Sequence, residues 1–198
     1  FDSQYNFITT LSVGDGLPRG ITSDATNLYA SVWGTHALNK ILKYTLDGEF
    51  IKGWGTVGGE DGQFEIPSDI TASNGNLYIA DQTNNRIQIF DSEGNFINWF
   101  GHYGYPNLNP GNGLLRNPED AVVDNSGNVY VADTINNRIQ IFNKDGIYKS
   151  QIGKIFGQSG SGNGEFMMPN ALAYNKNKNI LYVADFNHRI QKFDRHGF

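Results

Sequence analysis

The chain has 198 residues, a net charge of −5 and no cysteine. The lack of cysteine excludes a disulfide framework, a thiol nucleophile and cysteine-based metal centres, and the acidic balance argues against a broad nucleic-acid-binding surface. Glycine provides 24 residues and aromatic side chains make up 13% of the chain, a composition typical of short strands joined by tight turns.

Four similar units follow one another along the chain, each marked by a tyrosine in its second apolar stretch: Tyr29, Tyr78, Tyr130 and Tyr182. We predict that they form a single domain over residues 1–198, with approximate extents of 12–54, 66–100, 117–152 and 168–198. Each unit contains four apolar stretches of strand length, separated by turns rich in Asn and Gly. In the second unit these stretches are Asp69–Ala72, Leu77–Ala80, Arg86–Phe90 and Phe96–Phe100. Four antiparallel strands per unit predict an all-β fold, a β-propeller built of four-stranded blades.

In three units the second stretch runs into a recurring pattern, Tyr-(Ile/Val)-Ala-Asp followed by Asn and then Arg-Ile-Gln, as in residues 78–88. This pattern, together with the Gly-rich segments 58–67 and 162–169 between units, resembles the NHL repeat. The resemblance implies a β-propeller, for which six blades are expected. The first unit departs from the pattern, because Ala30-Ser31-Val32-Trp33 replaces the Ala-Asp pair.

The number of blades has two interpretations, because the sequence contains four units. The last unit lacks its outer strand, and residues 7–11 supply a spare one. An N-terminal strand can therefore complete the last blade and close a four-bladed ring. Alternatively, the four units are part of a six-bladed propeller. An open array would expose strand edges and favour self-association.

The repeated charged residues are predicted to be structural. Each of Asp81, Asp133 and Asp185 ends a strand, and an arginine follows four or five residues later. Asp and Arg can close the intervening turn by a bidentate pair, and Asn can satisfy its backbone amides. The substitution Arg138→Ala is therefore expected to reduce stability rather than to remove an activity selectively.

Function is expected where the units differ. In a four-stranded antiparallel blade, the linker into the first strand and the loop between the second and third strands lie on one face, and the first strand is innermost. Its beginning lines the mouth of the central channel, where the units present Arg19-Gly20, Ser68-Asp69, Glu119-Asp120 and Asn170-Ala171. Aromatic residues in nearby loops are typical anchors of a binding surface. The predicted ligand-binding face comprises Arg19, Trp33, His36, Asp69, Tyr103, Tyr105, Glu119, Asp120, Asn170, Phe186 and His188.

The acidic side chains at the channel mouth have two interpretations. Asp69, Glu119 and Asp120, with Asn170, are a predicted site for calcium, magnesium or another divalent cation. Alternatively, they form a solvated acidic rim balanced by arginine side chains. A zinc site is not favoured, because the histidines come from different blades and lack a metal-ligand spacing.

Two classes of function follow. The nucleophile-elbow, phosphate-loop and zinc-protease motifs are missing from the sequence, which favours a non-catalytic scaffold that binds a protein, peptide or glycan partner. The alternative is a metal-dependent lyase or hydrolase with a divalent cation at the channel mouth, since the NHL family includes such a lyase. The acidic mouth disfavours nucleic acid as a partner, and no apolar run approaches the ~18 residues of a membrane span. The Asn- and Gly-rich, cysteine-free repeats resemble those of prokaryotic extracellular or cell-surface proteins.

Overall fold

The computed structural model describes residues 8–34, 38–103 and 111–194, and the regular structure in these ranges is almost entirely β-strand. The exceptions are two short 3-10 turns, Thr134–Asn136 and Ile155–Gly157. Within these ranges, no helix is long and apolar enough to cross a membrane.

The described strands form four antiparallel sheets and one short parallel pair. The first sheet consists of β1 (Leu17–Ser23), β2 (Asn27–Trp33), β3 (Lys40–Thr45) and β4 (Phe50–Trp54). The parallel pair consists of β5 (Thr56–Val57) and β6 (Gln63–Phe64). The second sheet consists of β7 (Pro67–Ser73), β8 (Asn76–Asp81), β9 (Arg86–Asp91) and β10 (Phe96–Phe100). The third consists of β11 (Pro118–Val123), β12 (Val129–Asp133), β13 (Arg138–Phe142) and β14 (Tyr148–Gly153), and the fourth of β15 (Ala171–Asn175), β16 (Ile180–Asp185) and β17 (Arg189–Asp194).

Each antiparallel sheet is one blade of a β-propeller, with its strands adjacent in chain order. The expected all-β propeller is confirmed, with four-stranded sheets in the first three blades and three strands among the described residues of the fourth. The first strands of successive blades pack side by side, β1 against β7, β7 against β11 and β11 against β15. These are therefore the inner strands, and their beginnings meet on one face of the molecule.

The strand predicted over residues 7–11 is not formed, because the described part of it, residues 8–11, lies outside any strand. Leu11 and Val13 instead pack against the first blade, beside the buried ring of Tyr44. The Tyr44 hydroxyl also donates a hydrogen bond of 2.7 Å to a backbone carbonyl of this segment. Apolar contact with the first blade thus takes the place of the backbone pairing that the prediction required.

A large apolar side chain from each linker is buried between two blades. Phe64, Leu115 and Phe166 are each 0% exposed, and we call them the interblade plugs. Phe64 packs among residues of the first and second blades, including Tyr29 and Ile79. The other two plugs occupy the equivalent clusters at the next two blade boundaries. Their burial joins each blade to the next by the hydrophobic effect.

A buried polar cluster ties each of the last three blades to the linker that precedes it. In the second blade, Nε of Arg86 donates to Oδ2 of Asp81 at 2.8 Å, and its Nη2 donates to the carbonyl oxygens of Glu60 and Gln63. The amide of Gln88 donates both to the same Asp81 oxygen and to the Gln63 carbonyl oxygen. We call this cluster the linker latch. Its members are Asp81, Asn84, Arg86 and Gln88 in the second blade, Asp133, Asn136, Arg138 and Gln140 in the third, and Asp185, Asn187, Arg189 and Gln191 in the fourth.

The expectation of a bidentate Asp–Arg pair is wrong for the second blade. The Arg86 guanidinium divides its donors between one carboxylate oxygen and two linker carbonyls, because the linker passes directly over the turn. The other Asp81 oxygen accepts from the backbone N–H of Glu65 at 2.7 Å and from the side-chain amide of Asn84. The latch therefore fixes the linker as well as the turn, and its buried carboxylate has a full set of partners.

Candidate functional site

The beginnings of the four inner strands enclose an open cavity at the propeller axis. Its volume is about 280 Å³, and it is lined by Arg19, Ser68, Asp69, Glu119, Asp120, Asn170 and Ala171. The backbone is irregular here, since the pairing register shifts just after Pro18, Pro67 and Pro118, where each inner strand begins. We call this space the axial cavity. It brings together five of the residues predicted for the ligand-binding face: Arg19, Asp69, Glu119, Asp120 and Asn170.

Asp69 and Asp120 form a carboxyl pair across the boundary between the second and third blades. Asp120 is 5% exposed, and its Oδ2 accepts a 2.6 Å hydrogen bond from the backbone N–H of Leu172. Its Oδ1 is buried and has no donor partner when both carboxyl groups are ionised. Burial, and then the charge and hydrogen bond of Asp69, raise the pKa of Asp120 well above its ordinary value.

Burial also raises the pKa of Asp69, and its hydrogen bond with Asp120 opposes that rise. Two carboxyl groups this close and this buried do not both ionise readily, because each negative charge disfavours the other. This arrangement favours one proton shared between the two members, and the two groups titrate as a unit.

Glu119 lies on the same cavity but makes separate contacts. Its Oε1 accepts a 3.1 Å hydrogen bond from the side-chain amide of Gln82, which belongs to the loop between β8 and β9. Burial raises the pKa of Glu119, and the charge of Arg19 lowers it. The Ser68 hydroxyl joins the second blade to the third, since it donates a 2.9 Å hydrogen bond to the backbone carbonyl of Glu119.

At the position equivalent to Asp69, the first blade has Gly20, which is buried and packs directly against Asp69. A Cβ atom at Gly20 would lie 2.2 Å from Asp69 Oδ1 and 2.6 Å from Asp69 Cα. Glycine is therefore required there for the first two blades to approach this closely. Sequence reasoning missed Gln82 as a neighbour of the cavity, although its position directly after Asp81 on the loop face was a usable signal.

The aromatic and histidine residues of the predicted face lie away from the axial cavity. Trp33 is half-buried at the end of β2, while Tyr103 and Phe186 are 45% and 48% exposed on a linker and a loop. His188 is exposed in the turn before β17, with a left-handed φ of 56°. None of these four lines the cavity. His36 and Tyr105, the remaining two predicted residues, lie outside the described residues.

A divalent cation site at the mouth stays a prediction. Among the residues that the structure describes, no group of three or more His, Asp or Glu side chains is arranged to hold a metal ion. The cavity does offer the Asp69–Asp120 pair and the side-chain oxygen of Asn170. Such a set of oxygen atoms attracts cations, and its charge depends on the shared proton.

Comparison with family models gives two matches. A model described as "NHL repeat" matches residues 64–90, and one described as "6-bladed beta-propeller" matches residues 114–198. The chain belongs to the NHL-repeat β-propeller family. The six-bladed description of the model that matches residues 114–198 agrees with the second of the two arrangements expected from the sequence.

Three curated relatives of this NHL-repeat chain share about a third of its residues over the matched region. Protein brain tumor from Drosophila melanogaster is 32% identical over 73% of this chain and 13% of its own length. NHL repeat-containing protein 3 from Homo sapiens is 31% identical over 65% of this chain and 40% of its own length. Peptidyl-glycine alpha-amidating monooxygenase B from Xenopus laevis is 34% identical over 69% of this chain and 16% of its own length. The chain thus spans between 13% and 40% of the length of these relatives.

Solved structures share the propeller fold at low sequence identity. A protein of unknown function from Bacteroides caccae is similar with a TM-score of 0.65 and 14% identity, over 92% of this chain and 65% of that one. A nidogen/laminin complex is similar with a TM-score of 0.66 and 20% identity, over 90% of this chain and 61% of that one. A catalytically inactive virginiamycin B lyase from Staphylococcus aureus, with quinupristin, is similar with a TM-score of 0.57 and 17% identity. The match covers 91% of this chain and 56% of that one. At these identities the similarity shows the fold alone.

Proposed function

We propose that this propeller is a non-catalytic binding scaffold that holds a protein or peptide partner on the face around the axial cavity. The observation that carries the proposal is the contrast between the cavity wall and its frame. The interblade plugs recur at three blade boundaries and the linker latch in the last three blades, whereas the strand beginnings present different side chains from blade to blade. Variation on a constant frame is the arrangement expected of a surface that recognises a partner.

Two further observations support a macromolecular partner. The cavity is open, and the rings of Tyr103 and Phe186 are exposed elsewhere on a linker and a loop, where such rings are common anchors in interfaces. A propeller-containing complex of nidogen with laminin is among the structures of similar fold. That complex supports the general use of this fold in protein recognition, and the partner proposed here is argued from the cavity.

The proposal is tested with peptides selected from a random displayed library on the immobilised chain. Binding of the selected peptides is then compared between the wild type, Glu119→Gln and Asp145→Asn. Asp145 is a charge-matched control, because its exposed side chain lies in the turn between β13 and β14 on the opposite face. We expect Glu119→Gln to weaken binding by about tenfold or more and the control to change it by less than about twofold. Peptides that bind equally well to both variants, or an empty selection, would overturn the proposal.

A metal-dependent lyase or hydrolase is the second candidate, and the raised pKa of the Asp69–Asp120 pair favours it, since perturbed groups concentrate at active sites. A thermal melt after exhaustive chelation, repeated with calcium, magnesium and zinc, separates the two candidates. Millimolar metal on a micromolar site adds about 4 kcal/mol to the free energy of unfolding, which raises Tm by roughly 8–16 °C for a domain of this size. Such a shift, abolished in Asp69→Ala, would favour the enzyme, and its absence with all three metals would count against it.

A further inference from the structure

The Asp69–Asp120 pair is held differently from the other buried carboxyl groups, which have either a guanidinium partner or, at Asp124, several neutral donors. In the linker latch, Asp81 and Asp133 each receive a guanidinium nitrogen, at 2.8 Å and 2.7 Å. In the described part of the chain, no cationic side chain forms an ion pair with Asp69 or Asp120. The charge of Arg19 acts on Glu119. The buried Oδ1 of Asp120 is left without a donor, on the wall of a cavity that is open to solvent.

We propose that the Asp69–Asp120 pair binds a primary ammonium group, from a lysine side chain or a peptide amino terminus, inserted into the axial cavity. This inference rests on the proposed function, because it names the chemistry by which a peptide or protein partner is recognised. A cation at this position supplies the charge and the donor that Asp120 Oδ1 lacks. It takes the place of the shared proton, which is released to solvent.

The acceptor geometry selects an ammonium over a guanidinium. Bidentate recognition of a guanidinium requires both oxygens of one carboxylate. Oδ2 of Asp120 already accepts from the backbone N–H of Leu172 and Oδ1 is buried, so the two oxygens of this carboxylate are not free together for a parallel pair of guanidinium bonds. An ammonium carries three donors that can be satisfied by separate single acceptors. Asp69, Asp120 and Asn170 carry such oxygen acceptors, and all three residues line the cavity.

The same count of oxygens disfavours calcium. Calcium takes about six to eight oxygen ligands, whereas the cavity offers the carboxyl pair and Asn170, with Glu119 bonded to Gln82. The cavity volume of about 280 Å³ corresponds to roughly nine water molecules at the volume each occupies in the liquid. That space accommodates an ammonium group with several methylene groups of its side chain.

The probes for the test are short capped peptides, titrated at constant ionic strength while the backbone amide of Leu172 is followed by NMR. N-acetyl-Gly-Lys-Gly-amide presents a lysine side chain, and Gly-Gly-Gly-amide with a free amine presents an amino terminus. N-acetyl-Gly-Arg-Gly-amide and the acetyl-lysine version of the first peptide are the controls. We expect saturable shifts with one or both ammonium probes and an affinity lower by about tenfold or more for both controls. The comparison of the two ammonium probes identifies the source of the group.

Binding of the lysine peptide is also expected to tighten as the pH rises from about 5 to 7, because the pair must give up its shared proton while the lysine ammonium stays charged. Asp69 and Asp120 are the groups that titrate, with Glu119 and Arg19 as the neighbouring charges on the cavity. A pH-independent affinity, or equal binding of the arginine peptide, would overturn the inference. Micromolar binding of calcium chloride that displaces the lysine peptide would assign the cavity to the metal instead.

Variants connect the response to the pair. Asp120→Asn keeps an oxygen for the Leu172 N–H and removes the charge, so we expect lysine-peptide affinity to fall by about tenfold or more. Asp69→Asn should have the same effect, and Asp145→Asn on the opposite face should have none. The ammonium proposal would be wrong, and the binding-scaffold proposal right, if the selected peptides lose affinity in Glu119→Gln but keep it when each of their amino groups is replaced. The binding-scaffold proposal would be wrong, and the ammonium proposal right, if the lysine peptide shifts the NMR signal of the Leu172 amide in a saturable way but no selected peptide binds this face.

Discussion

At the scale of single residues, the molecule contains two kinds of buried carboxyl group. Asp133 in the linker latch is surrounded by donors, including Arg138 Nε at 2.7 Å and the Asn136 amide at 3.0 Å. Asp120 accepts from backbone N–H groups, those of Leu172 and Ala121, and is paired with Asp69 instead of a cation. The first arrangement stabilises the ionised group, while the second stabilises the protonated one.

The pH dependence of stability is expected to reveal this difference. The folded-state pKa of Asp120 lies above its unfolded value, so the folded state binds more protons and the free energy of unfolding falls as the pH rises above about 4. In Asp120→Asn the free energy of unfolding no longer falls with rising pH for this reason, because the side chain cannot ionise. The new asparagine amide can also donate a hydrogen bond to Asp69. We expect the variant to be more stable than the wild type by about 1–2 kcal/mol near neutral pH, with the difference shrinking towards pH 4. Urea unfolding across this range measures it.

Parallel stability profiles for the two proteins would contradict the assignment of a raised pKa to Asp120. Asp145→Asn provides the comparison for removal of a carboxylate, because the Asp145 side chain is 58% exposed in a surface turn. Its free energy of unfolding should change by less than about 0.5 kcal/mol at each pH.

The sequence predicted which residues line the mouth but not how they pair. Position relative to the proline at each strand beginning was enough to bring Arg19, Asp69, Glu119, Asp120 and Asn170 to one cavity. The separation of Glu119 from the carboxyl pair depends on the register shift at the start of each inner strand. Such a bulge changes which side chains share a face, and the proline that precedes it does not specify which side chain it turns towards the cavity.

At the scale of elements, the linker latch explains why the Asp, Asn, Arg and Gln of each unit recur together. Arg138 is 1% exposed and donates to Asp133 and to the linker carbonyls of Gly111 and Leu114. The sequence indicated the Asp–Arg partnership because the two lie five residues apart. It did not indicate the linker carbonyls, because these contacts join residues about 25 positions apart through the fold of the blade.

Arg138→Ala should therefore be among the most damaging substitutions in the third blade. It leaves the Asp133 carboxylate buried without its cation and releases the linker, so we expect a loss of about 3–5 kcal/mol in the free energy of unfolding. Arg19→Ala is the matched control, because Arg19 is exposed at the cavity and belongs to no latch. Urea denaturation compares them, and similar midpoints for the two variants would contradict the role of the latch.

The interblade plugs give a second prediction at this scale. Phe64→Ala should reduce the free energy of unfolding by about 3–5 kcal/mol, because it removes a fully buried ring from the boundary between two blades. Phe50→Ala, at a position that is 61% exposed, removes the same atoms with much less burial. Thermal melts of both variants test the difference, and equal Tm values would show that the plug is not essential to the boundary.

The first blade lacks the latch and uses apolar contacts in its place. Val32 and Leu42 occupy positions that carry Asp and Gln in the other blades, and they pack with Leu11 and Val13. The sequence revealed the departure, since Ala-Asp is replaced there. It did not reveal that the preceding segment would pack on this blade instead of forming a strand, because its apolar residues suit both arrangements.

At the scale of the whole molecule, stability is expected to vary along the series of blades. Ile87 and Ile139 are each 0% exposed beneath the following blade, whereas Ile190, at the same place in the fourth blade, is 72% exposed. In repeat architectures each unit is stabilised chiefly by its neighbours. The second and third blades, packed on both sides, should be the most stable.

Hydrogen exchange tests this gradient. Backbone amides of β16 and β17 should exchange about tenfold faster or more than those of β8 and β9, because local opening of the fourth blade disturbs less buried surface. Exchange measured by mass spectrometry on overlapping peptides compares the two blades directly. Uniform protection across the four blades would indicate that the array opens as one unit.

The close contact of Gly20 with Asp69 affects the direction in which an elongated ligand can bind across the cavity. The repeats are alike, yet Gly20 replaces the aspartate of the next two blades, and the first blade lines the cavity with the cationic side chain of Arg19. The cavity therefore has no rotational symmetry, and an elongated ligand lying across it meets a different chemical group at each end. A peptide with its amine beside Asp120 has one favoured chain direction. A selected peptide and its reversed sequence, identical in composition and charge, should for that reason bind unequally.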